Sequence, residues 1–123
     1  MHDLAFQTDL TEPNLDFILS REIEYITKAW ERIALACKFS QLGALRFDKD
    51  VRTLLTYFAS NATWNVREKF LRLLQISSVL SLPSASDVYD IWSPQQTEKL
   101  SAADIRKFLA LRFTEGEVNQ LVL

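Results

Sequence analysis

The sequence has little of what punctuates or arms a polypeptide. Among its 123 residues are two glycines, three prolines, one cysteine and one histidine. Two isolated glycines cannot build a phosphate-cradling loop. Cys37 stands alone, so no internal disulfide can form, and the reducing interior of a cell is its simplest compartment. It falls in an apolar helical stripe, where a free thiol reads as a small core hydrophobe. His2, near the N-terminus, has no convergent partners in view. There is no HExxH, and a di-iron site between helices would need two histidines, so no metal, cofactor or catalytic residue is expected. No apolar run approaches the roughly 20 residues that span a bilayer, and the opening MHDLAFQTDLTEP carries acids where a signal peptide carries bases. Positive charge is not in excess either. Fourteen Lys and Arg against sixteen Asp and Glu leave a net charge of −2, which gives no global attraction to nucleic-acid or anionic membrane surfaces. These absences describe a soluble chain that meets a membrane only peripherally.

What is present is apolar periodicity. Aliphatic, aromatic and cysteine residues make up 48% of the chain, and the prolines sit between the periodic segments, which suits long helices with short connections. The length supports one domain able to bury roughly two-thirds of its unfolded surface. An all-α helical bundle is expected: a long N-terminal helix, a central helical hairpin and two to three shorter C-terminal helices.

The hairpin is the organising stretch. In residues 47–60, Val51, Leu54, Leu55 and Phe58 recur at i, i+3, i+4 and i+7, with Asp48 as a candidate N-cap. Val66, Phe70, Leu73, Leu74 and Leu80 form the second stripe, opened by Asn65 with Glu68 as a capping box. Between them Asn61 to Asn65 makes a turn in which Trp64 seals the helix ends.

Upstream, residues 1–12 read as a loose lead-in and 13–43 as one long connecting helix. In it Leu19, Ile23, Ile26, Trp30, Ile33 and Cys37 step as a heptad seam, and Gly43 is placed to end it. Residues 44–123 complete the bundle, so 13–123 reads as the domain. After Pro83, Ser84 with Asp87 opens a short helix whose Val88, Ile91 and Trp92 share a side. Residues 93–99 form a polar loop. Ser101 with Asp104 caps a helix carrying Ile105, Phe108 and Leu109. Thr114 with Glu117 starts a last turn or two, closed by Val118, Leu121, Val122 and Leu123.

Catalysis finds no support in this inventory, since the paired carboxylates Glu22/Glu24 and Asp87/Asp90 point apart or into solvent. A helix–turn–helix could be drawn from Val66 to Trp92, flanked by Arg46, Lys49, Arg52, Arg67, Lys69 and Arg72. Its second helix, however, carries Asp87 and Asp90 and suits a major groove poorly. A protein-interaction module is the reading that fits.

The motifs FSQLGALRFDKDVRTLLTYF, TWNVREKFLRL, the Ile91–Trp92 pair and LALRF (109–113) resemble the C-terminal end of subunit 4 of the conserved oligomeric Golgi complex. Phe47, Asp48, Lys49, Trp64, Arg67 and Phe70 carry the match, with Arg72, Trp92 and Ala110 to Arg112 in the same order. The resemblance holds from about Lys38 onward; before it only helical character and length are shared. It implies a terminal helical bundle of a tethering-complex rod, and a non-enzymatic piece of a longer subunit. That subunit would act in capture of intra-Golgi retrograde vesicles, at the cytosolic face of the Golgi membrane and in the cytosol. Its implied partners are the other subunits and the SNARE and Rab machinery. Exocyst and Golgi-associated retrograde subunits are the alternative, because tethering rods share architecture.

The resemblance also implies one residue pair. In the family an arginine in the helix after the TW motif joins an acidic residue early in a later helix. These positions fall on Arg72 and Asp104, with Asp where Glu is usual and the reach one methylene shorter. Periodicity does not single out Arg72, which lies off the main stripe, and Asp104 also has a role as the acid of the Ser101 capping box. The expectation is a structural clamp between two helices.

Overall fold

A computed structural model describes residues 12–93 and 99–123, with side chains from residue 15. Of the expected lead-in, residues 1–11, His2 included, lie outside the described residues, as does most of the 93–99 loop, while Glu12 already belongs to a helix. The described residues form five α-helices and one 3-10 helix: α1 Glu12–Leu35, α2 Gln41–Ser60, α3 Arg67–Leu80, the 3-10 helix Ala85–Asp90, α4 Ala102–Leu109 and α5 Glu115–Asn119. The all-α bundle expected from periodicity is the fold observed, with no strand among the described residues.

Helix α3 is the centre. It packs on α2, α1 and α4, and Phe70, Leu73, Leu74, Ile76, Ser77, Val79 and Leu80 are all buried in it. Val51 and Phe58 of α2 complete the hairpin seam, with Leu54 and Leu55 half-buried beside them. The Phe58 and Phe70 rings meet with centroids 6.1 Å apart. Ile105, Phe108 and Leu109 of α4 close the core from the other side. Burying a side chain of this size stabilises the fold by about 1.5–3 kcal/mol, so α3 holds three neighbours through one continuous apolar centre.

Several local expectations are corrected. The long helix does not run to Gly43: α1 ends at Leu35, and Ser40 starts α2 by accepting a hydrogen bond from the Gly43 N–H at 3.0 Å. Gly43 therefore opens a helix, and a Cβ there would stand 3.3 Å from the Ser40 Oγ. The break is fixed by tertiary contacts. The Phe39 N–H donates to the Leu111 carbonyl (2.8 Å), the Lys38 ammonium reaches the Ala110 carbonyl (3.3 Å), and the Phe39 ring packs edge-on against Phe47.

The seam of α1 holds at Leu19, Ile23, Ile26 and Trp30 and then moves to Ala34, which is buried, while Ile33 is 61% exposed. A helix of 3.6 residues per turn drifts off a strict heptad register by about 20° per repeat, which carries the contact row past Ile33. Cys37 lies beyond the helix end and is exposed, with its thiol directed to the Ile33 carbonyl.

Asp48 is mid-helix and caps nothing. Asn65 accepts from the Arg67 N–H at 3.1 Å, two residues on, and the reciprocal bond from Glu68 is not made. By contrast the Ser84/Asp87, Ser101/Asp104 and Thr114/Glu117 capping boxes all form. The Ser84 box opens a 3-10 helix, on which Val88 is buried with Trp92 just past its end, while Ile91 is 41% exposed. At the C-terminus Val118 and Leu121 dock and Val122 faces solvent. A helix–turn–helix from Val66 to Trp92 is not built, because α3 is buried on three sides and is followed by one short acidic 3-10 helix.

Candidate functional site

Arg72 leaves α3 on the side facing α1, one position before the buried Leu73. Its guanidinium forks onto Glu31 of α1, Nε donating to Oε1 at 2.8 Å and Nη2 to Oε2 at 3.0 Å. Nη1 donates to the Lys99 carbonyl at 2.9 Å and to Asp104 Oδ2 at 3.3 Å. One side chain thus ties together α1, the strand of chain that enters α4, and α4 itself. A planar fork suits this task, since the parallel N–H bonds fix direction as well as distance.

The structure brings Arg72 and Asp104 into contact, and it adds a shorter, bidentate partner in Glu31 that the sequence did not mark. Glu31 follows Trp30 on α1 and lies off the apolar seam; nothing in local spacing separates it from Glu22, or from Glu24, which pairs with Lys69 of α3 at 3.4 Å. Only the Arg72 fork, which calls for a second carboxylate, could have prompted a search for it.

The junction is half-sheltered. The Arg72 side chain is 37% exposed, those of Glu31 and Asp104 22% each. The bonds to Glu31 raise the Arg72 pKa above its ordinary value, against the opposing effect of burial, so the guanidinium stays charged at every accessible pH. Partial burial works against charge on Asp104, but the Ser101 backbone N–H and then the Arg72 guanidinium outweigh it, and its pKa is lowered. Lys107 adds a looser contact to Asp104 Oδ1 at 3.8 Å. Gln75, one turn from Arg72, accepts the Lys99 N–H at 3.1 Å, and the Trp92 indole donates to the Leu100 carbonyl at 2.9 Å. The entry to α4 is therefore held from three sides. The hydrogen bonds of Arg72 thus all run to groups of its own chain.

A second arginine does comparable work. Arg112 Nη1 donates to the Leu80 carbonyl at 2.7 Å and to that of Leu82, capping the end of α3, while its guanidinium lies 4.4 Å over the Phe113 ring. Arg112 belongs to the ALR motif, so a signal for it was present although no role was assigned.

The other motif residues have distinct places. Phe47 packs against Trp30 and Phe39 at 6.1 and 5.7 Å. Asp48 accepts from the buried Ser77 hydroxyl and pairs with Arg52 at 3.0 Å, locking α2 to α3. Trp64 packs against the core, and its indole N–H is buried without an acceptor among the described residues. Phe70 is fully buried. Lys49 and Arg67 are exposed. Among the described residues no three His, Cys, Asp or Glu side chains group as a metal site, and no helix is long and apolar enough to cross a membrane.

Comparison with known proteins gives a consistent result. Residues 4–107 match the family described as "Conserved oligomeric Golgi complex subunit 4, C-terminal". Proteins of that name are similar to the chain across kingdoms: 32% identical over 123 positions in Pongo abelii, covering 96% of this chain. In Arabidopsis thaliana the identity is 38% over 106 positions and 84% of the chain, and in Dictyostelium discoideum 40% over 111 positions and 87%. The similarity thus reaches back through α1, beyond the Lys38 limit read from motifs. The chain spans 16%, 14% and 12% of the length of those three relatives.

Proposed function

The chain belongs to the family of the C-terminal region of conserved oligomeric Golgi complex subunit 4, and from that premise we propose that it is a non-enzymatic contact module of such a complex. It acts in intra-Golgi retrograde vesicle tethering and Golgi organisation, peripherally at the cytosolic face of the Golgi membrane. Its partners are the other subunits and, through them or directly, SNARE and Rab proteins. Membership of this family also favours the Golgi complex over the exocyst or Golgi-associated retrograde subunits.

The observation that carries the reading is the direction of the Arg72 guanidinium. Its hydrogen bonds go to Glu31, Lys99 and Asp104 of its own chain, so the most elaborate polar cluster serves architecture and leaves the outer helix faces to meet partners. A half-sheltered fork of this kind sets the relative placement of α1, α3 and α4, and with it the surface they present.

Expression of the tagged chain in cells, beside an Arg72→Ala form, tests this. The expected result is co-purification of Golgi tethering subunits, reduced in Arg72→Ala in proportion to the loss of folded protein. A cooperatively folding chain that recovers none of these subunits would overturn the contact-module reading.

A further inference from the structure

Helix α3 keeps one face that neither α1 nor the hairpin seam covers. Arg67, Leu71, Gln75 and Ser78 recur at i, i+4, i+8 and i+11, so they form one row along the helix. That row is a wall of a half-open groove of about 240 Å³. Trp92 and Ile91, past the 3-10 helix, and Leu100 and Ile105, at the start of α4, make the opposite wall, and Arg52 of α2 stands at its margin. The floor is apolar, closed by the buried Leu74 and Val79, while Ile91 is exposed at the lip.

Among the described residues the charge of the groove has one sign: no described Asp or Glu lines it, and its two charged lining residues are arginines. Arg52 uses its Nε–H on Asp48 in a surface i, i+4 pair, and its side chain is 53% exposed. The Arg67 guanidinium makes no hydrogen bond or ion pair among the described residues; only its backbone N–H is engaged, by Asn65. Arg67 is also the arginine of the TWNVREKF motif that packing and the Arg72 junction leave without a task.

We propose that this groove docks a short acidic–aliphatic segment of a partner protein. One or two aliphatic side chains lie against Leu71 and Ile91, above the buried Leu74 and Trp92, and flanking carboxylates meet Arg67 and Arg52. The row from Arg67 to Ser78 is about 16 Å long at 1.5 Å per residue, which fits three helical turns or about five extended residues. A phosphorylated lipid headgroup suits it less well, because only Gln75 and Ser78 add polar atoms and the floor offers aliphatic and indole surface. An amphipathic segment in an apolar groove with charge at the rim is a recurring mode of peptide recognition.

The inference deepens the contact-module reading by assigning it a surface. Its test uses purified chain alone, so failure here leaves the tethering role standing, and failure of co-purification leaves the groove standing. Random peptides displayed in a library are selected on the full chain, and the enriched sequences are synthesised and titrated into isotope-labelled protein. The expected winners place Asp or Glu beside Leu, Ile or Val and shift the amide signals of Leu71, Ser78 and Ile91. Arg67→Glu should weaken their binding by about tenfold or more, through like-charge repulsion at the rim, and Arg67→Lys should keep most of it. Both variants should melt with the parent, since the Arg67 side chain supports no fold contact. Enrichment of basic sequences or of no consensus would overturn the proposal. So would signal changes on another face, equal binding by Arg67→Glu, or concentration-dependent self-association that is lost in Arg67→Glu, which would make the occupant a second copy.

Discussion

Replacing Arg72 with alanine tests how the two carboxylates share the junction. The change removes the fork on Glu31 and single bonds to Asp104 and the Lys99 carbonyl, and it strands Glu31 while leaving Asp104 the Ser101 N–H and a looser Lys107 contact, both carboxylate side chains being 22% exposed. A buried pair broken on one side costs about 3–5 kcal/mol, and a fully exposed pair under about 1 kcal/mol. With Arg72 itself 37% exposed, solvent screening removes much of the buried figure, and about 2 kcal/mol remains. In a domain of this size each kcal/mol moves the melting temperature by about 4 °C, so Arg72→Ala should melt about 8 °C lower.

The distances go further and rank the partners. Two N–H bonds of 2.8 and 3.0 Å reach Glu31, against one of 3.3 Å to Asp104. Double-mutant cycles by urea unfolding should therefore give a coupling of about 1–1.5 kcal/mol for Arg72 with Glu31 and about 0.5 kcal/mol for Arg72 with Asp104. The cycle is needed because Asp104→Ala also breaks the Ser101 capping box, a loss that appears in both arms and cancels. Couplings below about 0.3 kcal/mol for both pairs would show the junction to be solvated decoration. A larger coupling for Asp104 than for Glu31 would refute the ranking and return the clamp to α3 and α4 alone.

Three further outcomes follow from named contacts. The lowered Asp104 pKa means that its stabilising effect is complete above the unfolded value near about 3.9 and is lost as pH falls through the folded value. The gap in unfolding free energy between the parent and Asp104→Asn should thus be full at about pH 7 and shrink below about pH 4, and a constant gap down to about pH 2 would contradict it. Arg112→Ala strands the Leu80 and Leu82 carbonyls and should cost about 1–3 kcal/mol, with faster amide exchange at the end of α3 than at its start. Phe70→Ala opens a cavity in the fully buried centre and should cost about 3–5 kcal/mol by denaturant unfolding; a loss under about 1 kcal/mol would mean that α3 is not the hub of the fold.

What the sequence made legible was local. A capping box needs two side chains three residues apart and one turn of helix, so Ser84/Asp87, Ser101/Asp104 and Thr114/Glu117 could be read without knowing the fold. The stripes of α2 and α3 were legible because a helix with one buried face repeats a single spacing. What escaped depended on distant partners. The 36–40 link contains neither Gly nor Pro, and it breaks the helix because Lys38 and Phe39 bond to carbonyls more than 70 residues away. Asp48 resembled a cap in isolation, yet it sits mid-helix because Ser40 had already started α2 and the buried Ser77 needed an acceptor. Glu31 could not be found from one chain's spacing, since a carboxylate off the seam looks alike whether it meets water or a guanidinium.

The arginines carry this distinction to its conclusion. Arg72 and Arg112 sit at the junctions of helices and turn their donors inward, each to carbonyls or carboxylates 27 to 41 residues away. Arg67, on the same helix as Arg72 but rotated onto another face, turns its guanidinium outward beside an apolar groove. Charge in this chain therefore has two separable uses. Removing Arg72 should lower stability and binding together, whereas reversing Arg67 should lower binding while the melting temperature stays in place. A chain in which both substitutions acted only through stability would have no assigned contact surface on α3, and its interactions would have to run through α1 or the C-terminal turns.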